Sequence, residues 1–219
     1  MEFNAELVKL LLDGLWDTLI MVIVSTTLGY ALGLPLGVIL TITDKDGISP
    51  HPLVYKIMDI VVNILRSIPF LILLIMLIPF TKAVVGQSYG TAGTIVPLTV
   101  AAAPFIARLV ESSLKEVDKG VIEAAQSMGA NKRTIILKVL IGEARTGLLV
   151  GITISLGTIL GYSAMAGVVG GGGLGDIAIR YGYYRWETGT MLVTVAVLVV
   201  LMQILQGIGN FLSKKVDRR

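Results

Sequence analysis

The sequence predicts an all-α membrane protein of five transmembrane helices, its N-terminus outside, its C-terminus cytoplasmic, and one short helix exposed on a cytoplasmic loop. Of 219 residues, 54% are hydrophobic and only 15% charged, against roughly 25% charged in an average soluble domain. The apolar residues gather into runs long enough to cross a bilayer. Lysine and arginine fall overwhelmingly on alternate loops.

A helix needs about 20 apolar residues to cross the hydrocarbon core. Runs free of Asp, Glu, Lys and Arg cover Thr18–Thr43, Ala83–Ala107, Thr146–Gly175 and Thr188–Ser213, or 26, 25, 30 and 26 residues. A fifth, Ile60–Thr81, is interrupted only by Arg66. With trimmed ends the spans fall at 17–42, 58–80, 91–111, 147–168 and 190–212. Helices of soluble proteins average only about 10–14 residues, so buried soluble helices do not account for such lengths.

The segment before the first span holds Glu2, Glu6 and Asp13 against a single Lys9. It lacks the basic start of a secretory signal, and the run that follows is too long for one. Phe3, Leu7, Leu10, Leu11 and Leu15 recur at helical spacing. That pattern predicts an amphipathic helix lying on the membrane surface or leading into the first span.

Assigning loops alternately sets the orientation. Fourteen of the 18 basic residues fall on the 1–2 loop, the 3–4 loop, the C-terminus and adjoining helix ends. The other side holds Lys9, Lys82, Arg180 and Arg185. The second group marks the outside. No internal repeat is visible.

Within lipid, helices associate through small residues that let backbones approach. Gly29, Gly33 and Gly37 form two overlapping GxxxG units, and Gly147 with Gly151 and Gly157 with Gly161 form two more. They predict packing within the chain, or alternatively contact with a second copy. Pro35, Pro69, Pro79, Pro97 and Pro104 lie within or at the ends of spans, where each can kink its helix.

Several chemistries are excluded. There is no cysteine and only one histidine, His51, so thiol chemistry, a His-rich metal site and a histidine-based triad are ruled out within one chain. Between the interfaces the spans carry no Asp, Glu or His, the groups a proton-coupled carrier needs there. Arg66 and Arg108 lie near cytoplasmic ends, placed to snorkel. No G-x-x-x-x-G-K-[ST] occurs, so ATP is not bound by that motif here. Gly170–Gly175 reads GGGGLG and literally contains G-x-G-x-x-G. With no βαβ pattern around it, it reads as a tight, flexible connection between the fourth and fifth spans.

The one long hydrophilic segment is 112–145. Asp118 is placed to cap a helix from Lys119. Val121, Ile122, Ala124, Ala125 and Met128 then form one apolar stripe. Gly129 is placed as a C′ glycine, and Asn131 caps a second helix striped by Ile135, Ile136, Val139 and Leu140. Such a loop either folds back on its own bundle or presents a helix to a groove on a soluble partner.

Glu123-Ala124-Ala125, three residues and then Gly129, followed by an Ile/Leu-rich helix, resembles the EAA loop of permease subunits of bacterial ABC importers. That family often has proline where this chain has Gly142. Asn63–Phe70, Ala103–Arg108, Gly161–Gly167 and Gly172–Gly175 further resemble the methionine-uptake permeases, a likeness covering residues 15–215. The resemblance implies a single importer transmembrane domain over 1–219, in the bacterial cytoplasmic membrane, working as a homodimer. It implies a coupling helix with Glu123, Ala124, Ala125, Met128 and Gly129 at its docking surface. Two cytoplasmic ATPase subunits would bind ATP and Mg, and an extracytoplasmic binding protein would deliver methionine. No enzyme activity, cofactor, metal or nucleic acid is implied for the chain itself. Ser155, Thr158, Tyr162, Ser163 and Met165, polar or polarizable in an aliphatic stretch, are candidates for a solute path at the dimer axis. The rival readings are a permease for another amino acid or small polar solute, a non-conducting membrane anchor, and a small secondary carrier.

Overall fold

The computed structural model describes residues 5–216; Glu2, Phe3, Arg218 and Arg219 lie outside the described residues. All regular structure among the described residues is helical. Among the described residues, four helices are long and apolar enough to cross a membrane, and one sharply bent pair passes the same test when taken together.

The first helix, α1 (Ala5–Thr43), has 39 residues. At 1.5 Å per residue that is about 58 Å, well beyond the roughly 30 Å hydrocarbon core. The N-terminal amphipathic segment is therefore continuous with the first span. Its predicted face holds, since Leu7, Leu10, Leu11 and Leu15 are half-buried while Val8, Leu12 and Trp16 are exposed.

The second predicted span is not one straight helix. It comprises α2 (Pro52–Ser67) and α3 (Phe70–Met76), bent by 99°, followed by α4 (Ile78–Val85). The break falls at Ile68–Pro69. Proline disfavours helical geometry in the preceding residue, and Ile68 is extended at φ −79°, ψ 122°. Of the other predicted kink sites, Pro35, Pro97 and Pro104 do not break a helix, whereas Pro79 follows the one-residue interruption at Leu77 between α3 and α4. Pro35 lies inside α1 and Pro79 in the first turn of α4, where a missing N–H costs nothing. Pro97 and Pro104 lie inside α5 (Gly90–Lys115).

The glycine motif of α1 packs within the chain. Side chains added at Gly29, Gly33 and Gly37 would stand 2.8 Å from Ala102 Cβ, 2.6 Å from the Ala103 carbonyl and 2.6 Å from the Ala107 carbonyl. These successive turns of α5 leave no room for a Cβ, so α1 and α5 join along a seam of bare backbone. Leu98, Ala102, Ile106 and Val110 of α5 are buried there with Met21 and Val22 of α1.

Beyond α5 the chain forms α6 (Lys119–Ser127), then α7 (Lys132–Thr134), a wide π turn over Ile135–Leu140, and α8 (Ile141–Glu143). Next comes α9 (Arg145–Ala166), packed on α5 and α1. Gly147 faces Ser113 of α5 and Gly151 faces Tyr30 of α1, whereas Gly157 faces Met202. The last helix, α11 (Thr188–Val216), lies against α9 and is largely uncovered by the rest of the chain.

Between α9 and α11 the structure corrects the flexible-connection reading. After a short 3₁₀ turn, Gly170, Gly172 and Gly173 take positive φ angles of 75°, 80° and 72°, and the chain turns back into the bundle as α10 (Gly173–Ile177). Leu174 is fully buried, and its N–H donates to Thr18 Oγ1 on α1 (2.9 Å). Gly167 and Gly175 meet backbone to backbone. Glycine here supplies close approach and fixed left-handed turns rather than looseness. A second π segment, Ala178–Tyr183, leads to α11.

Candidate functional site

The first candidate is α6. Asp118 Oδ1 accepts from the Gly120 N–H at 2.6 Å, as the sequence predicts. The other end closes in a Schellman motif. Gly129 N–H donates to the Gln126 carbonyl (2.9 Å) and Ala130 N–H to Ala125 (3.0 Å), with Gly129 left-handed at φ 77°. This satisfies carbonyls that a helix end leaves unpaired. Asn131 Oδ1 then accepts from the Thr134 N–H at 2.8 Å and starts the next helix.

The apolar stripe divides in two. Ala125 is 5% exposed, and Ile122 packs on the main core beside Val117 and Leu140. Val121, Ala124 and Met128 face outward, with Met128 81% exposed. Folding back on the bundle and presenting a surface are thus two faces of one helix. Glu123, Ala124, Met128 and Gly129 lie on the free side, and Ala125 seats the helix. An unbranched, polarizable Met adapts readily to a groove.

The second candidate set separates. Ser155 and Ser163 are buried, and their hydroxyls donate to the backbone carbonyls of Gly151 and Leu160, both at 2.8 Å. Such local bonding is the usual fate of a hydroxyl in a helix. Tyr162 stacks on Phe70 at 4.6 Å between centroids and 2° between planes, tying α9 to the start of α3 beyond the Pro69 bend. Thr158 and Met165 lie on the opposite, less covered face of α9 with the exposed Ile154 and Gly161. A Cβ at Gly161 would meet nothing within 4 Å. Of the five, Met165 is exposed and Thr158 half-buried, its hydroxyl donating to the Ile154 carbonyl at 3.0 Å; these two lie on the side open to a space outside this chain.

Arg108, placed to snorkel, is held by side chains of its own chain. Its guanidinium pairs with Asp59 on α2 and with Glu111 Oε2 (2.6 Å), and donates to Asn63 Oδ1 (2.9 Å). Lys115 joins Glu111 (2.8 Å) to Asp44 beyond α1 (2.6 Å). Glu111 is only 4% exposed, so it needs both cations. The hydrogen bond from Lys115 holds the Asp44 carboxyl below the usual carboxylate range and outweighs burial, which acts the other way. Asp44, Asp59, Glu111 and Lys115 escaped the sequence reading. The visible signal was Arg108, Glu111 and Lys115 at i, i+3 and i+7 on one helix face.

These contacts join segments distant in the sequence. Asn63–Phe70 meets Ala103–Arg108 through Asn63 and Arg108, and meets Gly161–Gly167 through the Phe70–Tyr162 stack. Gly167 in turn meets Gly175.

The chain is similar to proteins already known. It is 53% identical over 210 residues to the probable D-methionine transport system permease protein MetI of Vibrio cholerae, covering 96% of this chain and 93% of that one. It is 51% identical over 158 residues to the D-methionine transport system permease protein MetI of Escherichia coli, covering 72% and 73%. A chain from inward-facing structures of the MetNI methionine ABC transporter superposes with a TM-score of 0.97 at 45% identity, over 99% of this chain and 100% of that one. An amino acid ABC transporter crystallised with histidines shares the fold, with a TM-score of 0.79 at 18% identity over 98% and 100%. Residues 33–218 match a family described as the inner membrane component of binding-protein-dependent transport systems. The chain belongs to that family.

Proposed function

We propose that this chain is the permease subunit of an ATP-driven importer that carries methionine, in both L- and D-forms, across the bacterial cytoplasmic membrane. The observation that carries this reading is the likeness to the MetNI chain over 99% of the length at 45% identity. The outward face of α6 supports it, being a rigidly capped helix with Met128 at its tip. In this reading the whole chain is one transmembrane domain. It crosses five times, with α2 and α3 together as one span, its N-terminus outside and its C-terminus cytoplasmic as the basic residues indicate. Two copies pair, with the less covered face of α9 toward the shared axis and Thr158 and Met165 beside the path. Two ATPase subunits, which hold ATP and Mg, dock on the two α6 helices, and an extracytoplasmic binding protein delivers the solute. Closure of the ATPases moves the α6 helices together and rocks the attached helices, a rigid-body switch.

The test uses proteoliposomes with the ATPase inside and the binding protein outside. Uptake of labelled methionine should require internal ATP and survive a protonophore, with unlabelled L- and D-methionine competing. Accumulation driven by a pH gradient without ATP overturns the mechanism. Uptake of another amino acid in preference to both methionines overturns the substrate and leaves the importer.

A further inference from the structure

The turn between α1 and α2 grips the α6 loop at both of its ends. Residues 44–51 have little slack. Gly47 N–H donates to Asp44, Ser49 N–H to Ile42 and His51 N–H to Thr43, at 2.9, 3.0 and 2.9 Å. A Cβ at Gly47 would stand 2.5 Å from the Thr41 and Ile42 carbonyl oxygens. The turn is therefore folded hard against the last turn of α1 and moves with it. Its polar groups meet three lysines. Lys115 Nζ lies 2.6 Å from Asp44 Oδ2 and Lys119 Nζ 3.9 Å from Asp46 Oδ1, while Lys132 Nζ donates to Ser49 Oγ at 2.9 Å. Lys115 precedes α6, Lys119 opens it, and Lys132 opens the helix beyond it. Between these points lies a cleft of about 350 Å³, with Ile42 and Ile48 on one wall and Val117, Ile122 and Leu140 on the other.

We infer that the 44–51 turn is a clasp that carries displacement of α6 directly into α1. This rests on α6 being the ATPase-docking helix. Covalent continuity already joins the loop to α5 on one side and α9 on the other. A loop held only there can tilt at its ends, and part of the partner's stroke is then lost in bending. The clasp brackets α6 from outside the loop, on a turn without slack, so α6 and α1 shift as one body. Asp44, Asp46 and Ser49 are the positioning residues. Each contact alone is weak at an exposed site; their effect comes from holding both ends at once.

The experiment uses the complete transporter in proteoliposomes. One variant cuts the clasp with Asp44→Ala, Asp46→Ala and Ser49→Ala. The expected result is an ATPase that still binds and hydrolyses ATP but carries about fivefold less methionine per ATP, the low end of coupling between sites. A second variant locks it, placing Ser49→Cys and Lys132→Cys in a chain with no other cysteine and bridging them with a short bifunctional thiol reagent. Bridging should restore the methionine-to-ATP ratio that loss of the Ser49–Lys132 contact lowers. An unchanged methionine-to-ATP ratio in the cut variant, or uptake abolished by bridging, overturns the clasp. The docking reading fails separately, if Met128→Glu leaves ATPase co-purification intact.

Discussion

Gly129 offers a test of the docking helix in which backbone geometry is the only variable. Its φ is 77°, and a Cβ built there meets nothing within 4 Å. A substituted side chain therefore has room, and only the left-handed conformation opposes it. That conformation costs an ordinary L-residue about 1–2 kcal/mol, while Asn adopts it routinely, and a β-branched residue is a genuine outlier there. The two hydrogen bonds that close α6 depend on it, from Gly129 to Gln126 and from Ala130 to Ala125. A strain of 1–2 kcal/mol lowers the ratio of closed to opened helix ends by about 5–30-fold, which displaces Met128 from its outward position. The series Gly129→Asn, Gly129→Ala and Gly129→Val should be read by ATPase co-purification and ATP-dependent uptake. Both should fall in that order, with near-normal values for Asn and the largest loss for Val. Amount in the membrane should not change, because Gly129 is exposed and a side chain there touches none of the buried core. A Val variant that assembles and transports normally refutes the assignment. An Asn variant as impaired as Val refutes the reasoning, since bulk rather than φ would then be at fault.

Gly33→Ala should destabilise the bundle by about 1–3 kcal/mol, because its Cβ would stand 2.6 Å from the Ala103 carbonyl; thermal unfolding in detergent reads this, with Gly161→Ala as the unaffected comparison. Asp44 has a folded pKa below its unfolded value of about 3.9, so its contribution is present above that value and is lost as pH falls through the lower one. Asp44→Asn should thus lower the Tm at neutral pH, and the gap should close in strong acid; a gap that persists there contradicts the Lys115 pairing. In cysteine scanning, Thr158→Cys and Met165→Cys should react with water-soluble thiol reagents in at least one nucleotide state, and Ser155→Cys and Ser163→Cys in none. The reverse pattern would place the path on the other face of α9.

The sequence shows best what lipid demands of it. Long uncharged runs are obligatory in hydrocarbon, so the spans appear without any knowledge of packing. The caps of α6 are equally legible, since Asp118, Gly129 and Asn131 each act within a few residues of their own position. What was hidden depends on distant partners. Pro69 signals a break, but an angle of 99° takes an anchor on the far side, and Phe70 finds it on Tyr162. Arg108 looks like a snorkelling residue until Asp59, on another helix, is beside it. The run from Gly170 to Gly175 reads as a soft linker because glycine permits both looseness and close approach; only burial against Thr18 and Ala164 decides between them. In α9 the reading by residue type could not separate faces, so two buried serines stood beside the half-buried Thr158 and the exposed Met165.

The seam between α1 and α5 also constrains how the chain is made. Its halves are separated by the whole of α2, α3 and α4, and α1 leaves the ribosome long before α5 exists. Through that interval Gly29, Gly33 and Gly37 have no intrachain partner, and lipid must fill a groove shaped for backbone. Closing it releases lipid and aligns two helices in a single step. A nascent chain halted before residue 90 therefore keeps an open seam, and the bundle cannot close until α5 is made.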